Sequence, residues 1–169
     1  MKEADRRDPF LVGKMKSCAF PHPDPDDAEG LIPIKRRRRG KFKQCFNNVL
    51  STMLALPGDG DPGIAKIASL GKNIFAVHGT RLLMGTLVGG HAWVEISNGK
   101  RKYVYDETSG WVYDKADYYS RFEAVPIHIL TKMELCHLVS TSHHVGPYDD
   151  ADVLAVRKKL KEKHKEKEA

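Results

Sequence analysis

No apolar run in the sequence is long enough to cross a bilayer as a helix, and Met1-Lys2-Glu3-Ala4-Asp5-Arg6-Arg7 lead into no hydrophobic signal core. No membrane association is expected, and the expectation is a soluble, cytoplasmic protein. Cysteine is scarce: Cys18, Cys45 and Cys136 are an odd number at wide, unequal spacings, which argues against a disulfide framework and suits reduced thiols. Aromatics make up only 8%, and the most basic stretch, 35–43, contains only Phe42, so it lacks the stacking platform that single-stranded nucleic acid uses. Cys18, His22 and Asp24 lie close together, but one cysteine and one histidine in a proline-rich run fall short of a ligand set. Neither a metal nor another cofactor is expected. No internal repeat is visible.

What is present fits one domain with polar extensions: 169 residues, 41% hydrophobic, net charge +6. The charge is unevenly spread. Lys35, Arg36, Arg37, Arg38, Arg39, Lys41 and Lys43 form a run with no acid, and the tail from Arg157 carries seven bases against Glu162, Glu166 and Glu168. Without these two stretches, 14 bases and 19 acids remain, a net of −5. The basic character belongs to appendages, either solvated segments or contact surfaces for phosphate or an acidic protein.

Phe20-Pro21-His22-Pro23-Asp24-Pro25 can form neither helix nor central strand, so 1–34 reads as an extended proline-rich arm. Residues 35–148 read as one domain, opening on the basic segment, and 149–169 as a charged helix or tail. From Cys45 the pattern turns helical, with Phe46, Val49, Leu50, Met53 and Leu54 as an apolar stripe that Pro57-Gly58 ends. Cys45 falls in the first turn, where free N–H groups and the helix dipole favour a thiolate; alternatively it is one more buried member of the stripe. Pro62 opens a second helix. Asn73 to Thr80 reads as a strand and Leu82 to Val88 as another, with Gly89-Gly90 as a turn or cleft rim. Asp114 caps a short helix bearing Tyr118, Tyr119 and Phe122, and Val125 to Leu130 is a strand. Thr131-Lys132-Met133-Glu134 is a capping box whose helix turns Met133, Cys136 and Val139 or nearby residues inward. A helix followed by antiparallel strands predicts the α+β class, with the cysteine helix packed on the sheet.

The densest signal is a hairpin. His91-Ala92-Trp93-Val94-Glu95-Ile96 alternates, Asn98-Gly99 turns, and Arg101-Lys102-Tyr103-Val104-Tyr105-Asp106 returns. A two-residue type I′ turn on Asn98-Gly99 pairs Ser97 with Lys100 and, in the same register, His91 with Asp106, Trp93 with Val104 and Glu95 with Lys102. A histidine held against a carboxylate is the orienting half of a catalytic triad, and Cys45 is the candidate nucleophile. Trp93 either walls the cleft or belongs to the core. Glu95 and Lys102 make a cross-strand charge pair.

Cys45 on a helix, Val77-His78-Gly79, His91-Ala92-Trp93-Val94-Glu95 and a strand ending Asp106-Glu107-Thr108 together resemble the transglutaminase-like branch of the papain-like cysteine enzymes. The resemblance covers roughly residues 40–112. It implies a papain-like core, with Cys45 as nucleophile, His91 as general base and acid, and Asp106 as the orienting carboxylate. Compact members of this kind occur in bacteria and phages. The chain departs from the pattern at Glu107, where the family has proline, and at Lys43, where it has glycine. A second oxyanion donor is left open between Gln44, an arginine and a backbone amide.

The resulting expectation is a cysteine hydrolase or acyltransferase, a peptidase or amidase acting on a peptide or protein through a thioester. Transamidation is an alternative outcome of the same chemistry. A different class is a non-catalytic basic module that binds nucleic acid or an acidic partner through 35–43 and the tail, with affinity steeply dependent on salt.

Overall fold

A computed structural model of the chain describes residues 32–34, 44–56, 60–83 and 87–146, together with single positions between 151 and 166. Cys18, His22, Asp24 and the basic run of Lys35, Arg36, Arg37, Arg38, Arg39, Lys41 and Lys43 lie outside the described residues.

The architecture is α+β, built on a six-stranded antiparallel sheet. The strands are β1 (Ile32–Pro33), β2 (Asn73–Leu83), β3 (Leu87–Ser97), β4 (Lys102–Asp106), β5 (Trp111–Asp114) and β6 (Val125–Leu130), in the order β1-β5-β4-β3-β2-β6. The helices include α1 (Cys45–Ala55), α2 (Pro62–Leu70), α3 (Lys115–Arg121) and α4 (Lys132–Ser142), and the described positions between 151 and 166 are helical as well. Strands β2 to β5 form a meander. The end of the proline-rich arm adds β1 at one edge, where Pro33 needs no ladder donor on its open side. No helix among the described residues is long and apolar enough to cross a membrane.

Period-two alternation sorts the sheet into two faces. Ala76, Ala92, Val94, Ile96, Tyr105 and Val112 turn to one side and meet Phe46, Val49 and Met53 of α1 and Ile64 and Ile67 of α2. Val77, Trp93, Val104 and Tyr113 turn to the other and are covered by Tyr118 of α3. Fully burying each large apolar side chain contributes roughly 1.5–3 kcal/mol, which fixes the helices to their faces.

Three sequence expectations are corrected. The stretch Leu82 to Val88 is not a strand of its own: Leu82 and Leu83 end β2, Leu87 and Val88 begin β3, and Gly89-Gly90 lie inside β3 opposite Arg81 and Thr80. In α4 the capping box forms, but Met133 is 82% exposed and Leu135 is the buried residue, because the helix begins at Lys132 and that phase turns Leu135 and Val139 inward.

The third correction is the hairpin register. Glu95 pairs with Val104 and Ser97 with Lys102, two residues from the expected alignment. A type I′ turn on Asn98-Gly99 needs positive φ at both residues, and only Gly99 has it, at +86°. The loop is centred one residue later, on Gly99-Lys100. The Asn98 N–H donates to the Arg101 carbonyl at 3.2 Å, and Asn98 Oδ1 accepts from the N–H groups of Lys100 and Arg101 at 3.1 and 2.8 Å. A slip of two leaves every side chain on its expected face.

Candidate active site

Four elements converge on one end of the sheet. Strand β4 pairs with β3 from Ser97 back to Val94 and stops at Asp106, so the earlier part of β3 continues beside β2 without a β4 partner. The first turn of α1 lies there. The Cys45 thiol is close enough to the His91 side chain and the Ala92 backbone N–H for both to favour its anionic form.

In the observed register Asp106 and His91 are diagonal neighbours rather than directly opposed, a separation that side chains span. His91 Nε2 is 3.0 Å from Asp106 Oδ2, which leaves Nδ1 as the nitrogen available to the thiol. The order thiol, imidazole, carboxylate therefore forms although the predicted direct pairing does not.

Asp106 is fully buried and accepts several donors. Besides His91, its Oδ2 takes Arg81 Nη1 at 2.7 Å and the Tyr118 hydroxyl at 3.1 Å, while Oδ1 takes the Thr108 N–H at 3.0 Å. Burial pushes its pKa up, but His91, Arg81 and these hydrogen bonds hold it well below the usual carboxylate range. Burial, the largest influence, pushes His91 down, but the charge of Asp106 and the interactions with Asp106 and Cys45 together outweigh burial and the opposing charge of Arg81 and leave it raised. Burial likewise pushes the Cys45 thiol up, yet His91 and the Ala92 N–H bring it below its ordinary value. Both shifts favour a thiolate–imidazolium pair.

The helix end adds to this. Asp61, Asp114 and Thr131 cap α2, α3 and α4 through their side chains, whereas Gln44 at the start of α1 makes no side-chain cap and is exposed. The Gln44 side chain therefore does not occupy the first N–H groups of α1, the end of the helix at which its dipole is positive.

Trp93 is fully buried. Its ring lies nearly parallel to that of His91, with centroids 6.2 Å apart, and packs against Tyr118 and Tyr119 at 5.7 and 6.0 Å. It supports the imidazole from within the core. Gly79, directly opposite His91, makes room for it: a Cβ there would sit 2.8 Å from Trp93 Cη2 and 2.2 Å from the Val125 carbonyl oxygen. Glu95 does not meet Lys102; it receives Lys115 Nζ at 2.5 Å and the Tyr119 hydroxyl, both from α3.

Sequence reasoning missed Arg81, Tyr118 and Glu107. Arg81 shares strand parity with Val77 and Gly79, a signal hidden by ending the strand at Thr80. Glu107 is buried and accepts the Thr52 hydroxyl of α1, so it ties the helix that carries Cys45 to the end of β4. Among the described residues no group of three or more His, Cys, Asp or Glu is arranged to hold a metal ion.

Comparison with protein-family models, with curated proteins and with solved structures finds no match.

Proposed function

We propose that the chain is a cysteine-dependent acyl-transfer enzyme, with a transglutaminase-like arrangement of the papain-like core, that hydrolyses a peptide or side-chain amide bond through a thioester. The observation carrying this reading is the juxtaposition of Cys45, at the start of α1, with a His91 ring that is itself 3.0 Å from Asp106 Oδ2.

In the first half-reaction the Cys45 thiolate attacks the amide carbonyl carbon, and the oxyanion formed is met by the Cys45 N–H and the Gln44 side chain. His91 gives its proton to the departing amine as the C–N bond breaks, leaving the acyl group on sulfur. In the second, neutral His91 takes a proton from water, the hydroxide attacks the thioester, and the C–S bond breaks to release acid and thiolate. Asp106 keeps the imidazole oriented throughout.

The reading is tested by mixing the protein with an activated acyl ester and locating the adduct by mass spectrometry. An acyl group on Cys45 that turns over in water, and is absent in His91→Ala, is expected. Labelling of Cys45 no greater than of Cys18 or Cys136 overturns it.

A further inference from the structure

Arg81 stands against the triad without taking part in these steps. Its Nη1 lies 2.7 Å from Asp106 Oδ2, closer than His91 on the same oxygen at 3.0 Å. The side chain is 2% exposed, with Cζ 4.9 Å from the Phe122 ring centroid and 5.9 Å from that of Tyr118, and Nη1 is 3.4 Å from the Tyr118 hydroxyl. Burying a guanidinium costs several kcal/mol before pairing, and an apolar residue of similar volume often serves stability as well or better.

The groups facing one another here are Cys45 from α1, Arg81 from β2, His91 from β3, Asp106 from β4, Tyr113 from β5 and Tyr118 from α3. Both tyrosines are held above their ordinary range, mainly by burial, and stay neutral. With thiolate, imidazolium and carboxylate alone, the buried cluster carries one net negative charge; with the guanidinium it carries none.

We propose that Arg81 is a positioning residue and the buried counter-ion of this site, balancing Asp106 so that the Cys45–His91 pair separates charge in a cluster of zero net charge. The proposal rests on the acyl-transfer reading for its purpose, but its test follows titration positions and needs no acyl transfer. Loss of the cation makes the thiolate harder to form and the imidazolium harder to discharge, so both limits of the working range move to higher pH. A residue that merely fills space would reduce activity without moving either limit.

The test measures the pH dependence of iodoacetamide alkylation at Cys45 and the NMR titration of the His91 ring in wild type, Arg81→Gln and Arg81→Lys. In Arg81→Gln both midpoints move upward by on the order of one pH unit, a tenfold change in the thiolate-to-thiol ratio at fixed pH. Arg81→Lys returns both towards wild type. Where Arg81→Gln alone unfolds, the double variant Arg81→Gln/Asp106→Asn carries no unpaired charge at this position, and its Cys45 midpoint lies above that of Asp106→Asn. Unmoved midpoints, or midpoints moving in opposite directions, overturn the proposal. Failure of the acyl-transfer reading shows itself separately, as a wild-type protein that forms no Cys45 adduct.

Discussion

Asp106 accepts from an imidazole, a guanidinium, a phenol and a backbone N–H, and that saturation lets a fully buried carboxylate remain ionised. Asp106→Ala removes the buried carboxylate that meets both Arg81 and His91, and urea unfolding is expected to show a loss of about 3–5 kcal/mol. At this scale Cys45, His91 and Asp106 were legible from residue type and order. Arg81 was not, because a charged residue on an alternating strand reads as solvent-facing and only the tertiary pairing with Asp106 reverses that. Tyr118 was legible as a helix aromatic, but its hydroxyl contact depends on how α3 sits over β4.

Among the elements, the hairpin shows what pattern can and cannot decide. Hydrophobic alternation specifies which face each side chain takes, so His91, Trp93, Glu95, Val104 and Asp106 share the expected face. Alignment along the strand depends on the turn, and Asn98-Gly99 is compatible with a loop centred on either side of Gly99. The observed turn needs positive φ at Gly99 only, so Gly99→Ala should destabilise the protein by about 1 kcal/mol or more in thermal or urea unfolding, whereas Lys100→Ala should lie within about 0.5 kcal/mol of wild type. The junction of β2 and β3 was illegible for a related reason: Arg81 and Gly89-Gly90 interrupt the apolar alternation although the ladder runs through them.

For the molecule as a whole, folding brings together Cys45 from the first helix and His91 from the third strand, and the same packing buries a second histidine. His78 lies against Phe46, and burial, with the charge of His128, lowers it to about 4 from 6.5. The unfolded chain therefore binds more protons between those values, and stability falls by roughly 3 kcal/mol as pH drops from about 6.5 to 4. His78→Gln is expected to flatten that decline in urea titrations. Asp106, lowered on folding, loses its contribution only in more acidic solution. His91, raised on folding, contributes fully below pH 6.5 and loses its contribution as pH rises through the folded value. The α+β class and the packing of the cysteine helix on the sheet were legible from element order, but the particular strand position that the first turn of α1 meets was not, since no local pattern in either segment encodes it. The pH dependence of Cys45 alkylation, resolved from Cys18 and Cys136 by peptide mapping, tests that contact most directly. The account predicts a midpoint below the ordinary thiol value that rises in His91→Ala; a midpoint equal to those of Cys18 and Cys136 and indifferent to His91→Ala would contradict it.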